Sequence, residues 1–189
     1  FYGFMDAETD QYAPELVRDN TPIDTPGSFA CGYHLSADLV DQSIRYLADH
    51  QADQPTRPWH LWLAFGAAHA PHQAPADLIR SYDPAFAQGW DIERERRLQR
   101  QIELGLVPPD TRLPPRNDGV QPWDSHAPPL KALFTRLQSA YAAMLDHADQ
   151  QIARLMAWLE ASGQADNTIV CVLSDNGASQ EGGPFGMVN

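Results

Sequence analysis

The chain alternates between stretches with a clear apolar period and stretches with none. After an unpatterned start, Leu39, Val40, Ile44 and Leu47 recur at helical spacing. Ser36 precedes them as a cap for the first free N–H groups, and Asp38 in the first turn suits the helix dipole. This predicts a helix from 36 to about 50. Residues 59–65 form a short run of large apolar side chains interrupted by His60 and bounded by Pro58 and Gly66, which predicts a buried strand with a core histidine. A compact loop follows, then a short helix over 76–82. The segment 91–104 has helical spacing but is densely charged, so it predicts an exposed helix stopped by Gly105. The longest pattern runs from 129 to 162. Leu130, Leu133, Phe134, Leu137, Tyr141, Met144 and Leu145 begin its apolar stripe, which continues through Leu159, and Gly163 follows as a residue able to take positive φ. After Asp166-Asn167, residues 168–173 are β-branched and apolar, the mark of a strand covered on both faces. Strand, helices and strand in that order is the logic of an α/β fold.

Two regions carry no period. Residues 1–35 are punctuated by Asp19-Asn20-Thr21-Pro22 and Thr25-Pro26-Gly27 and read as irregular, surface-wrapping structure. Residues 106–129 are crowded with proline and hold no long element, which makes them a structured excursion rather than a linker.

Composition narrows the picture. The 189 residues carry 43% hydrophobic side chains, enough for a core, so a wholly disordered chain is excluded. Length suggests one domain. No run reaches the roughly 18 apolar residues of a membrane helix. A net charge of −12 argues against sequence-independent nucleic-acid binding, which needs clustered cations. Cys31 and Cys171 match no zinc spacing and read as buried thiols, with a disulfide left open. The first residues carry no signal-peptide pattern, and both ends read as cut from the middle of something larger.

In open α/β sheets, ligands gather at loops after the carboxyl ends of strands. Two such loops stand out. The first holds His69-Ala70-Pro71-His72, where the pair at i, i+3 is open to three readings: hydrogen-bonded surface histidines, a zinc pair lacking a third ligand, or an imidazole acting as a general acid or anion contact. The second reads Ser174-Asp175-Asn176-Gly177, either a plain strand-to-turn signal or a pair of oxygen donors for a hard cation. His34, His50, His126 and His147 have no constellation around them.

At these loops the chain resembles the formylglycine-dependent sulfatases, in the arylsulfatase branch of the alkaline-phosphatase-like superfamily. The resemblance runs in order through Phe1-Tyr2-Gly3-Phe4, Gly32-Tyr33-His34-Leu35, Leu63-Ala64-Phe65 with His69-Ala70-Pro71-His72-Gln73-Ala74-Pro75, Leu104-Gly105-Leu106-Val107-Pro108, and Asp166-Asn167-Thr168 with Ser174-Asp175-Asn176-Gly177. It implies an incomplete α/β fold with a mostly parallel sheet flanked by helices, residues 1–189 being the central part of a sulfatase catalytic domain truncated at both ends. It implies hydrolysis of a small-molecule sulfate ester to an alcohol or phenol plus sulfate. Asp175 and Asn176 would be two ligands of one calcium ion beneath the sulfate, and His69 would contact the sulfate and help protonate the leaving oxygen. His72 is left out of this set. The family's nucleophile is a formylglycine made from a Cys/Ser-x-Pro-Ser-Arg motif, and no such motif occurs in these 189 residues. The family's paired metal-binding aspartates and a later lysine are likewise missing. Two other expectations are kept: a phosphoester or phosphonate hydrolase of the same superfamily, and a non-catalytic sulfatase-like module. By itself this stretch is expected to be inactive and marginally folded, because apolar strand edges would stay uncovered.

Overall fold

A computed structural model describes residues 1–174, 176 and 177. Four helices and one small sheet account for its regular structure: α1 (Leu35–Asp53), α2 (Ala76–Phe86), α3 (Trp90–Glu103) and α4 (Pro128–Ala161), with β1 (Tyr2–Gly3), β2 (Leu16–Arg18) and β3 (Thr21–Ile23). All four predicted helices form, α2 running on to Phe86. The cap of α1 differs. His34, not Ser36, holds the N-cap position, and its Nδ1 accepts the Ser36 N–H at 3.2 Å.

The sheet corrects the expectation that residues 1–35 are irregular. Its strands are antiparallel in the order β1-β2-β3, with Tyr2 opposite Arg18 and Arg18 opposite Thr21. The two residues left between β2 and β3 are Asp19 and Asn20, and Asp19 has φ 55°. A two-residue hairpin loop with positive φ at an Asp is a standard solution for a right-twisted ribbon. The strands are too short for any period to reveal them.

The sheet sits on α1. Leu16, Leu35 and Leu39 form a buried cluster, with Tyr2, Phe4, Ile23, Leu63 and Phe65 packed around it. Asp38, in the first turn of α1, accepts from the hydroxyls of Tyr2 at 2.5 Å and Tyr33 at 2.9 Å, tying β1 to the helix start. Burial and the adjacent carboxylate push both phenols above their ordinary range.

The long helix α4, about 51 Å at 1.5 Å per residue, packs against α1 and α2. Ala74, Ala143 and Met144 form the second buried cluster, with Leu78, Ile79 and Tyr82 of α2 against it. Arg136 pairs with Asp83 at 2.7 Å and the Tyr82 hydroxyl donates to Asp146 at 2.9 Å, fixing the register of the two helices. The buried face of α4 is Ser139, Ala143, Met144, His147, Ala148 and Gln151. The expected stripe is therefore displaced: Met144, Ala148 and Leu159 are buried, while Leu130, Leu133 and Leu145 face outward. Gly163 ends α4 at φ 73°, and the bonds from Gln164 N to Leu159 O and from Gly163 N to Glu160 O complete the turn. The proline-rich excursion is held by Trp123, which is buried edge-on against Trp90 at 4.8 Å. Gly89 has φ 85°, and a Cβ there would lie 2.1 Å from the Trp123 ring, so only glycine fits.

The two predicted buried strands are the main departure. Among the described residues, 59–65 and 168–173 form no ladder, and the only sheet is antiparallel. Residues 59–65 still alternate: Trp59, Leu61, Leu63 and Phe65 are partly covered, while His60, Trp62 and Ala64 are exposed. That is the period of a strand with one face occupied. His60 is thus not a core histidine. Residues 169–173 are open on both faces, with Ile169 92% exposed. Apolar runs of this kind become strands by pairing, and no pairing neighbour lies among the described residues. Cys31 and Cys171 are both exposed and unpaired, which overturns the buried-thiol reading and removes the disulfide.

Candidate functional site

The loop between residues 65 and 76 carries His69. It leaves the apolar face at Phe65 and returns into α2 after Pro75. Ala70 and Ala74 are buried and anchor it, Ala74 inside the α4 cluster. Polar contacts hold its other side. The Gln73 side chain accepts from the Gln11 N–H at 2.7 Å and donates to Asp10 Oδ2 at 2.8 Å, while the Gln73 carbonyl accepts from His34 Nε2 at 3.2 Å. His34 itself is buried, and its ring meets that of His147 of α4 at a tilt of 58° with 4.2 Å between centroids. Desolvation lowers the pKa of both rings; His147 falls from 6.5 to about 4, His34 adding to the effect. Both are therefore neutral supports at pH 7.

His69 is presented differently. Its side chain is 38% exposed. Nδ1 donates to the Ala70 carbonyl at 2.9 Å and lies 3.5 Å from Glu8 Oε2. A proton fixed on Nδ1 leaves Nε2 as the position that gains and loses a second proton. This ring can donate a proton or contact an anion. His72 is placed beside it: Nε2 donates to the Ala68 carbonyl at 3.2 Å, and its ring stands edge-on to Tyr141 at 5.2 Å. Beside the loop lies an open cleft of about 500 Å³, lined by Phe4, Glu8, Asp10, Leu16 and Pro71 among others.

The second predicted loop is only partly described. Asp175 lies outside the described residues. Asn176 is exposed, its Nδ2 donates to the Gly177 carbonyl at 2.7 Å, and the Ser174 hydroxyl donates to the Asn176 carbonyl at 2.6 Å. The contacts described for Asn176 stay within its own turn, and those described for His69 go to Glu8 and Ala70. No cluster of three or more His, Cys, Asp or Glu able to hold a metal occurs among the described residues. Calcium takes about 6–8 oxygens. The described residues do not by themselves fit a calcium ion, and the zinc alternative for His69 and His72 finds no third ligand among them. Among these residues no helix is long and apolar enough to cross a membrane.

Comparison with known proteins decides the family. The sulfatase family model matches residues 1–187. The chain belongs to the sulfatase family. Among curated sulfatases it is 35% identical over 169 residues to an uncharacterized sulfatase of Schizosaccharomyces pombe, covering 87% of this chain and 29% of that one. It is 33% identical over 163 residues to the arylsulfatase of Klebsiella aerogenes, covering 86% and 33%. An arylsulfatase of Clostridium perfringens is 24% identical over 162 residues, covering 84% and 29%. The chain thus spans about a third of the length of these sulfatases. Membership carries the α/β fold of alkaline-phosphatase-like enzymes, of which the described residues supply the helices and a small antiparallel sheet.

Three features of this sulfatase segment escaped sequence reasoning: Glu8 against His69, the Gln73 fork, and the His34–His147 ring contact. His34 and His147 are 113 positions apart and Glu8 and His69 are 61 apart. No periodicity reports contacts of that range. Only Gln73 had a local signal, its place inside the His69-to-Pro75 run.

Proposed function

We propose that the protein is a sulfuric ester hydrolase of the arylsulfatase kind, acting on a small-molecule sulfate ester, with residues 1–189 forming the central part of its catalytic domain. The observation that carries this reading is sulfatase-family similarity across residues 1–187 combined with a half-exposed His69 whose Nδ1 proton is fixed. Hydrolysis breaks the ester S–O bond and leaves the alcohol oxygen with an electron pair that needs a proton. His69 holds that proton on Nε2, gives it to the leaving oxygen and returns to the neutral ring. Glu8, 3.5 Å from Nδ1, helps to hold the ring in place.

Asp175 and Asn176 belong to the same proposal as two oxygen ligands of a calcium ion. The formylglycine nucleophile belongs to a segment other than this chain, which contains no Cys/Ser-x-Pro-Ser-Arg. The chemistry assigned to this chain goes through His69. The half-covered apolar run at 59–65 and the largely exposed one at 168–173 support the mostly parallel sheet expected of the fold, as strands whose further neighbours lie elsewhere in the domain.

The test is an assay of the polypeptide carrying this domain on 4-nitrophenyl sulfate and 4-nitrophenyl phosphate. The sulfate ester is expected to be the better substrate, releasing one sulfate per phenol. Preference for the phosphate ester would replace this reading with the phosphoester hydrolase, and no turnover of either would favour a non-catalytic module.

A further inference from the structure

We propose that Gln73 is a positioning residue for His69, setting where the imidazole stands through a two-point amide fork onto Asp10 and Gln11. The inference rests on the role given to His69 above and adds to it the group that holds the loop in register.

The geometry is specific to an amide. Oε1 takes the Gln11 N–H at 2.7 Å while Nε2 gives a proton to Asp10 Oδ2 at 2.8 Å. Only a side chain with one acceptor and one donor in a fork satisfies both. Neither partner can follow the loop if it moves. Asp10 Oδ1 already accepts the N–H groups of Tyr12 and Ala13, both at 2.8 Å. Gln11 is 1% exposed, and its carbonyl accepts from Leu35 N at 2.8 Å at the start of α1. The main chain of Gln73 is fixed as well. Ser36 N–H donates to His34 Nδ1, which leaves the His34 proton on Nε2 and directs it at the Gln73 carbonyl. His69 is four residues before this clamp, and Glu8, two residues before Asp10, meets its ring at 3.5 Å. The segment 8–11 therefore grips the loop at two points, one on the imidazole and one on Gln73. A proton donor must stand within hydrogen-bond reach of the oxygen it serves, so a small loop displacement is costly.

Swapping the polarity of the fork tests this. In the polypeptide carrying the domain, Gln73→Glu replaces the donor with a second carboxylate facing Asp10. It is expected to lower kcat for an aryl sulfate by about 10- to 100-fold, with KM little changed. Adding Asp10→Asn restores a donor opposite an acceptor with the roles exchanged, and its oxygen still takes the Tyr12 and Ala13 N–H groups. The double variant is expected to recover most of the lost kcat. Full activity in a folded Gln73→Glu variant would overturn the proposal, and so would a double variant that is no faster than the single one. If Gln73→Glu does not fold, the double variant alone decides: folded and active supports the fork, folded and slow or unfolded overturns it. A parent without sulfatase turnover would defeat the proposed function instead. The fork would still be read from the imidazole NMR resonances of His69, shifted by Gln73→Glu and restored by the swap if the proposal holds, unmoved by Gln73→Glu if it does not.

Discussion

The two loops singled out for chemistry are built in opposite ways. The His69 loop is held on every side by the chain itself: Ala74 sits in the α4 cluster, Gln73 is forked onto Asp10 and Gln11, and His34 caps α1 while holding a loop carbonyl. The run leading to Asn176 has few contacts among the described residues. Ile169 is 92%, Val172 73% and Leu173 74% exposed, and Asn176 bonds only within its turn among the described contacts. A loop can be prepared by local packing and buried polar bonds. An apolar strand cannot, because its backbone groups and side chains need neighbouring strands. One half of the proposed site is therefore self-supporting, and the other half has no such support among the described residues.

This contrast can be broken or sharpened by substitution. The largest effect on stability is expected from Met144→Ala, which empties the cluster under the His69 loop where Met144 is fully buried. A loss of about 2–5 kcal/mol is expected in denaturant unfolding. A loss below 1 kcal/mol would mean that the loop is not anchored through α4.

The next effect is on pH dependence. His147 is neutral when folded, its pKa lowered from 6.5 to about 4 by burial and by the adjoining His34. The unfolded chain binds this proton at higher pH than the folded one does. Stability is therefore complete above about pH 6.5, falls as pH drops toward 4, and levels off below that. A shift of this size corresponds to about 3 kcal/mol. His34 faces the ring from α1, with Asp146 and Arg154 beside it on α4. Replacing His147 by Gln should flatten the unfolding midpoint between pH 4 and 6.5. An unchanged pH profile would contradict the assignment.

The smallest effect marks the other region. Ile169→Ser in this chain alone should change stability by less than about 0.5 kcal/mol, as for other exposed positions. In the polypeptide carrying the domain, the same change should cost several times more if 168–173 is a covered strand there. Equal effects in both would remove these residues from the sheet.

These differences follow what the sequence could and could not report. The helices were legible because a 3.6-residue period survives any change of partner, and because Gly105 and Gly163 mark their ends. The His69 loop was legible as a proline-braced segment after an apolar run. The β1–β3 sheet was not, since strands of two or three residues carry no period, although Asp19-Asn20 marked its hairpin turn. The burial expected of 59–65 and 168–173 is not met among the described residues, for a physical reason. Hydrophobicity states what a segment needs, and whether the need is met depends on neighbours. Residues 59–65 have theirs on one face, through Leu63 and Phe65 against Leu16. The displaced face of α4 has a similar cause. Ser139, His147 and Gln151 are buried because α1, α2 and the loop pack there, while Leu130, Leu133 and Leu145 face away.

The central claim is that His69 hands a proton to the leaving oxygen, and its most direct test is the leaving-group dependence of a His69→Ala variant in the polypeptide carrying the domain. A nitrophenolate leaves without help, whereas an alkoxide does not. The variant should therefore lose about 10²- to 10⁴-fold on an alkyl sulfate and far less on 4-nitrophenyl sulfate. An equal loss on both esters, or none on either, would contradict the assignment of His69 as the acid.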